Sequence, residues 1–575
     1  MNRRTSIRSL LLLGVVLTVG GLTLINDNPL EASDDVKSSG QDQLLDSTAR
    51  SSDKFVDSIG VNTHLDSNLE NSTFDSILLG KINGAGIRHV REALLDYNYY
   101  RQRLKQMSDS GIKLDLVVDK NLATPTHLPS IDSTVNLVNT YISQGVKINS
   151  IELPNEYNNS RLVWNNLPPP SDWPKWLFEF SRDFSNRIKN NPSTPNITVV
   201  APTLVTYAAV PLLEQAGPIK NYVDYGNVHW YCHFLSDPNA PGLGNLCNLD
   251  SDLANFGRPY AGKPIMITET GIATSSNIAG EPAQFQSRLL SEAVASKYQS
   301  RRLLELFNRG IARTYLFELY IRPSATPTSI DYYFGLIDKN GREKPAFTTI
   351  KNMITLTKDA GADFTAGKLK YRLQGPSSLR QTLLQKRNGQ FLLWLWNEVD
   401  STQSVSPQGA TVTFNQAVMD LKTYDPLTST NIVAQASSVG QIEIQVADSP
   451  VLIVLSPSAT PPPSTGGGST GGQGGTVENG QGGTVKIDQN GVVIQDSNGR
   501  PVATKVTRPS SGQLGQITVE DHNIFILPAV LHPNLPRQAL SPSQAFGMAV
   551  LIVGVVMLLA NLVRLVLVIR RIIVK

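Results

Sequence analysis

Cysteine is almost absent. Two of 575 residues are Cys, Cys232 and Cys247, and both fall in one stretch, "YCHFLSDPNAPGLGNLC". Two thiols cannot build a cysteine-based metal framework. In an exported chain they read as one local disulfide, worth about 2–4 kcal/mol by constraining the unfolded loop; two free thiols are the alternative. Long basic runs are also missing. Lys and Arg total 51 against 48 Asp and Glu, a net charge of +3, so there is no electrostatic footprint for nucleic acid. No glycine-rich phosphate loop follows the first strand, which weighs against a nucleotide-binding doubly wound sheet. His229 and His233 flank Cys232, but no third ligand is spaced to complete a metal site. No metal or organic cofactor is expected.

What is present begins at the ends. "MNRRTSIRSLLLLGVVLTVGGLTLI" places Arg3, Arg4 and Arg8 before an apolar run from Leu10 to Ile25. Residues 1–25 read as a signal peptide or an uncleaved signal anchor. At the other end, 545–569 is apolar apart from Asn561 and Arg564. At 1.5 Å per residue such a helix crosses a hydrocarbon core of about 30 Å. Arg570, Arg571 and Lys575 in the tail 570–575 mark the cytoplasmic side. The expectation is a cell-membrane protein, anchored by the C-terminal helix, with everything between outside the cytoplasm.

Residues 26–51 read as a polar tether. Over 52–357, eight strand-like runs alternate with helical stretches such as 96–109, 133–144, 173–190 and 284–309. Gly86, Gly111, Gly145 and Gly310 stand where helix C-caps would precede strands. Such alternation implies parallel pairing through crossover helices. Eight repeats in about 300 residues fit a (β/α)8 TIM barrel; an open doubly wound sheet is the alternative. From 360 to 457, short strands separated by turns predict a β-sandwich. Trp394 and Trp396 share a strand face and are assigned to core. A Gly/Ser/Thr/Pro linker occupies 458–484, and 485–540 reads as a small β module with Asn-Gly turns, then a spacer.

The chemistry gathers at strand ends. "IELPNEYNNS" runs from a strand into a polar turn carrying Asn155 and Glu156, and "KPIMITETG" delivers Glu269 as the apolar run ends. In a barrel these mark the mouths of strands four and seven, so two carboxylates face one pocket. Glycosidic cleavage needs one carboxyl protonated and one ionised, with pKa values driven apart by environment and mutual repulsion. The sequence resembles the clan A glycoside hydrolases, retaining (β/α)8 enzymes such as families 5 and 39, here as a membrane-anchored bacterial member. The resemblance covers roughly 52–457. It rests on Asn155-Glu156 after strand four, Glu269 after strand seven, "NVHWY" with His229 and Tyr231 on strand six, Arg91 in "GIRHVRE", and "YYFGLIDKNGREKPAF" after strand eight.

The resemblance implies a general acid/base at Glu156, a nucleophile at Glu269, and His229, Tyr231 and Arg91 as their supports. Asn155 would bind the sugar 2-OH. Two features depart from the family: Tyr157 stands where a Pro is usual, and Phe317, Glu318 and Tyr320 stand where many members carry a Trp. Phe317 and Tyr320 are therefore candidate substrate contacts, as is His64 after strand one. Trp164 is a candidate sugar platform, while Trp173 and Trp176 are assigned to helix packing. Arg91 has a plainer reading, an ion pair with Glu92 or Asp96. The expected activity is double-displacement cleavage of β-glycosidic bonds in an extracytoplasmic polysaccharide or oligosaccharide. The alternatives are a transglycosylase using the same residues and a non-catalytic surface glycan-binding protein.

Overall fold

The computed structural model describes residues 44–65, 73–118, 128–158, 171–194, 196–231, 249–321 and 325–456, with the backbone of four later strands. The expected signal segment 1–25, residues 458–482 of the linker, the span 545–569, Trp164, Cys232, His233 and Cys247 lie outside the described residues. Among the described residues no helix is long and apolar enough to cross a membrane.

Eight parallel strands form one sheet: β1 (Ile59–Asn62), β2 (His89–Leu94), β3 (Lys113–Val118), β4 (Ile148–Glu152), β5 (Thr198–Val200), β6 (Gly226–His229), β7 (Ile265–Thr270) and β8 (Arg313–Leu316). β8 pairs with β1, Thr314 opposite Ile59. The β5–β6 seam is drawn together by a parallel bridge between Val200 and Tyr225, so the sheet closes into a barrel rather than staying open. Between the strands run α1 (Gly80–Ala85), α2 (Asn98–Asp109), α3 (Ile131–Ser143), α4 (Trp173–Lys189), α5 (Ala209–Ala216), α6 (Leu249–Phe256) and α7 (Glu292–Asn308), with α8 (Pro345–Thr357) after β8.

Local chemistry explains these elements. The four expected cap glycines all take positive φ, from 74° at Gly86 to 92° at Gly111, a region that only Gly enters cheaply. Ser130 and Ser291 cap α3 and α7 by accepting from Ser133 N and Val294 N. The helix expected over 284–309 is split in two: Ala283–Gln286 is a short helix, and α7 begins at Glu292 after Leu290–Ser291 has paired with Thr274–Ser275. α4 buries Trp173, Leu177, Phe180, Phe184 and Ile188 along one face, and Trp176 packs beside them, as their helical spacing requires. In the lumen, a Cβ on Gly60 would lie 2.5 Å from Tyr315 Cδ1, so the Tyr315 ring can fill the barrel only past a glycine.

The sandwich comprises β9 (Lys368–Gln374), β10 (Leu379–Gln385), β11 (Phe391–Asn397), β12 (Gln408–Val418), β13 (Asp420–Tyr424), β14 (Ile432–Ala436), β15 (Val439–Val446) and β16 (Val451–Ser456), split between two sheets. Its edges come from elsewhere in the chain. Leu45–Thr48 pairs antiparallel with β9 and Arg50–Ser51 parallel with β10, so the last part of the expected tether is sheet. Gly483–Asp488, at the end of the expected linker and the start of the expected spacer module, pairs parallel with β15 and antiparallel with Gly491–Gln495. β11 is buried along its whole length. Leu393 and Leu395 face the sandwich interior, whereas Leu392, Trp394 and Trp396 join the barrel's core cluster. The two Trp residues are core, as expected, but core between the two units.

Candidate active site

The alternation of β4 builds the floor of the site. Ile151 and Leu153 join the apolar core, so Ser150 and Glu152 turn into the lumen. Glu152 is fully buried. Above it the chain turns, and Glu156 sits at φ 43°. Such a conformation costs a non-glycine residue roughly 1–3 kcal/mol and gathers at functional sites. The turn is held by the Glu156 N–H, which donates to Thr203 Oγ1 at 3.0 Å. Opposite, β7 carries a register irregularity against both neighbours: Val228 pairs with Ile267 but His229 with Glu269, and Thr314 with Ile267 but Leu316 with Thr270. The extra residue lets Thr268 and Glu269 both face the lumen, which strict alternation would forbid.

Arg91, on β2, joins the two sides. Its Nε and Nη2 donate to Glu152 Oε2 and Oε1 at 2.7 and 2.8 Å. Nη1 donates to Asn62 Oδ1 at 2.9 Å and Glu269 Oε1 at 2.7 Å, and Nη2 also to Asn155 Oδ1 at 2.7 Å. All five guanidinium hydrogens are used. Burial opposes the charge, but Glu152 and Glu269 outweigh it and hold Arg91 firmly protonated. The plainer pairing is excluded: Glu92 points the other way, accepting from Leu65 N and Tyr100 OH, and Asp96 pairs with Arg101.

Glu269 is thus fixed at both oxygens, by Arg91 on Oε1 and by the Tyr231 hydroxyl on Oε2 at 2.9 Å. Burial first, then Glu269 itself, pushes the Tyr231 pKa far up, so Tyr231 stays an O–H donor. Its ring is braced edge-on by Phe317 and Phe334 at 6.3 and 5.7 Å, and Phe317 meets His64 at 5.2 Å. His64 Nε2 lies 3.4 Å from Glu318 Oε2. Phe317 and His64 therefore form the wall behind Tyr231. Tyr320 is placed elsewhere, buried with its hydroxyl on Lys339 O.

Glu156 meets His229, Oε1 to Nδ1, at 2.8 Å. The proton there can be traced by exclusion. Asn227 Nδ2 donates to Ala201 O, so its Oδ1 accepts from Thr268 Oγ1 at 2.9 Å. Thr268 then accepts from His229 Nε2 at 3.1 Å. With Nε2 carrying hydrogen, a neutral His229 presents a bare Nδ1 to Glu156, and the pair binds its next proton between them. Burial pulls the His229 pKa down, but Glu269 and Glu156 outweigh it, and the net direction is up. Glu156, His229 and Glu269 bring one polar atom each within 4.8 Å of one another. The Glu269 oxygen nearest His229 is Oε2, 3.5 Å from Nδ1, and it already accepts from the Tyr231 hydroxyl.

Sequence reasoning did not pick out Glu152, Asn62, Thr268, Asn227 or Thr203. For Glu152 the signal was present: a carboxylate alternating with Ile151 and Leu153 on a buried strand can only face the lumen.

No family model matches the chain, and no curated protein matches it. Solved structures that resemble it include a family 51 arabinofuranosidase from Xanthomonas axonopodis pv. citri, at 10% identity and TM-score 0.45 over 72% of this chain and 98% of that one. Another is a family 39 glycoside hydrolase from Bacteroides cellulosilyticus, at 16% and 0.40 over 70% and 82%. A third is a family 17 β-1,3-glucanosyltransferase from Rhizomucor miehei, at 19% and 0.37 over 50% and 95%. These neighbours are glycoside hydrolases by name, and at such scores the likeness carries no argument about this chain's activity. That argument rests on the site.

Proposed function

We propose that the protein is a retaining glycoside hydrolase acting on β-glycosidic bonds of a polysaccharide or oligosaccharide. The observation that carries this reading is the convergence of Glu156 and Glu269 from β4 and β7, an oxygen of each within 4.8 Å of the other, in unlike surroundings. Retaining enzymes hold their carboxyls about 5–5.5 Å apart, and inverting ones about 6.5–9.5 Å to admit a water. Arg91 and Tyr231 each donate to one oxygen of Glu269, the contacts that hold a nucleophilic carboxylate in place. Glu156 shares a proton with His229, the form an acid needs. In the first step a Glu269 oxygen bonds to the anomeric carbon, the glycosidic C–O bond breaks, and the leaving oxygen takes the proton from Glu156. In the second, water gives a proton to Glu156, its oxygen bonds to the anomeric carbon, and Glu269 leaves as carboxylate. Asn155, oriented by Arg91, would hold the sugar 2-OH.

The test is a panel of β-linked polysaccharides and aryl β-glycosides, followed by proton NMR of the first-released anomer on whichever substrate is turned over. Retention is expected. Release of the inverted anomer, or binding with no cleavage at any pH, would sink the reading. Location outside the cytoplasm belongs to the same proposal and rests on the segments 1–25 and 545–569. It is checked by reporter fusions: one placed after 457 should be active only outside the cytoplasm, and one after 575 only inside.

A further inference from the structure

We propose that Glu152 is the positioning residue of this site: buried beneath the two rim carboxylates, it locks the Arg91 guanidinium in one plane and shares its charge, so that one Nη1 hydrogen is aimed at Glu269 and one Nη2 hydrogen at Asn155. Glu152 touches no position where substrate could sit. It acts through Arg91 alone, and its link to turnover rests on the glycosidase reading above.

The geometry carries the assignment. A guanidinium on a flexible arm is fixed in plane by a two-pronged carboxylate contact, and Glu152 supplies both prongs. Thr268 Oγ1 lies 3.3 Å from Glu152 Oε1, but its one hydrogen goes to Asn227 Oδ1 at 2.9 Å. The buried carboxylate thus underlies the Arg91–Glu269 and Arg91–Asn155 contacts. Stability alone is a weak reason to keep such a group, because a buried ion pair roughly breaks even against apolar packing.

The charge around Glu152 also points this way. The groups that face it are Arg91 from β2, Asp115 from β3, Thr268 from β7, Tyr315 from β8, and Tyr260 ahead of β7. Arg91 is drawn on by Glu152, Glu269 and Asp115 together. Burial and the Glu152 charge hold Asp115 up at about 7, so near neutrality Asp115 draws on Arg91 only in part. Glu152→Gln keeps one acceptor oxygen and sets an N–H donor against the guanidinium, so one prong is lost and the plane is freed.

The lock is therefore read on Arg91 itself, which a merely structural role would not move. The experiment is NMR of full-length protein labelled with 15N-arginine, the Arg91 signals being identified by their loss in Arg91→Lys. With both prongs in place the two Nη groups should give separate signals, because turning of the guanidinium is blocked. In Glu152→Gln they should merge. If the Gln variant does not fold, the unsubstituted protein carries the test. Merged Nη signals in the unsubstituted protein, or separate ones in a folded Glu152→Gln, overturn the proposal. No substrate enters the measurement. Signals as expected in a protein that cleaves no glycoside would keep Glu152 as the positioning residue and defeat the glycosidase reading instead.

Discussion

The barrel gathers polar clusters at both ends, the mouth cluster mostly buried and the foot cluster partly exposed, and they are opposite in charge. At the foot, Asp57 ends a short helix (Ser52–Asp57) and faces the starts of three strands. It accepts from His89 at 3.0 Å and Lys113 at 2.7 Å, with Arg313 at 3.6 Å and Arg88 at 3.9 Å. At the mouth the ratio inverts: one guanidinium serves Glu152 and Glu269, with Glu156 close by. The consequence lies in where protons reside. Burial, with Arg313 and Lys113 nearby, pushes His89 down to about 4. Asp57 is held low against its burial by His89 and Lys113. The foot thus keeps a neutral imidazole and a fixed carboxylate, with no proton to exchange near neutrality. At the mouth the surplus of carboxylate raises His229 and keeps a proton between it and Glu156. Clustered charge alone marks no active site; a surplus of carboxylate over cation, beside an exposed rim, marks this one.

The contrast breaks most sharply if the mouth carboxylates can be removed without loss. Glu269→Gln should lower kcat/KM by roughly 10⁴-fold or more, as loss of a nucleophile does. Glu156→Gln should cost roughly 10²–10⁴-fold, the range for general acid–base catalysis. Asp57→Asn, at the foot, should leave turnover within about twofold while lowering Tm. Assays of all three on the substrate found by the panel decide it. Equal losses at mouth and foot would mean that the polar lumen acts only through stability.

Arg91→Met sharpens the comparison on a second axis. It strands Glu152 without its cation, so it should destabilise the fold by about 3–5 kcal/mol, the cost of breaking a buried pair from one side. Denaturant unfolding would measure this. Adding Glu152→Gln to Arg91→Met should restore part of the stability and none of the turnover. Recovery of turnover in the double variant would contradict the contact between Arg91 and Glu269.

How much of this was legible in the sequence follows from the range of the interactions. The eight strands and the four cap glycines were readable because strand period and helix caps are local. Glu156 and Glu269 were readable as strand-end residues and His229, Tyr231 and Arg91 through the family resemblance, and the structure brings the five together. The turn of Glu269 into the lumen was not, since it depends on a register irregularity set by pairing with β6 and β8. Leu45–Thr48 read as tether because its partner, Lys368–Tyr371, lies more than 300 residues on. Tyr320 read as a rim aromatic because the sequence does not reveal the loop around Lys339 that takes its hydroxyl.

The foot makes its own prediction through pH. The folded pKa of His89, about 4, lies below its ordinary 6.5. Its contribution is therefore whole above pH 6.5 and is lost as pH falls towards 4, where the unfolded chain binds a proton that the folded one refuses. The loss should reach roughly 3 kcal/mol. In His89→Gln this part of the acid decline should flatten, read as Tm between pH 7 and 4.5, with turnover at pH 7 unaffected. A Tm profile as steep as that of the unsubstituted protein would place the acid-sensitive group elsewhere.

The smallest expected effect tests the finest feature of the mouth, the second hold on Glu269. Tyr231→Phe keeps the ring between Phe317 and Phe334 and removes only the hydroxyl on Oε2. Arg91 still grips Oε1, and His229 Nδ1 remains 3.5 Å from Oε2. A hydrogen bond to a charged group is worth about 1.5–3 kcal/mol, so kcat should fall at least about tenfold. KM should change little, because the hydroxyl meets Glu269. An unmoved kcat would mean that Arg91 alone suffices, and that charge balance at the mouth is set from below, through Glu152, rather than from the rim.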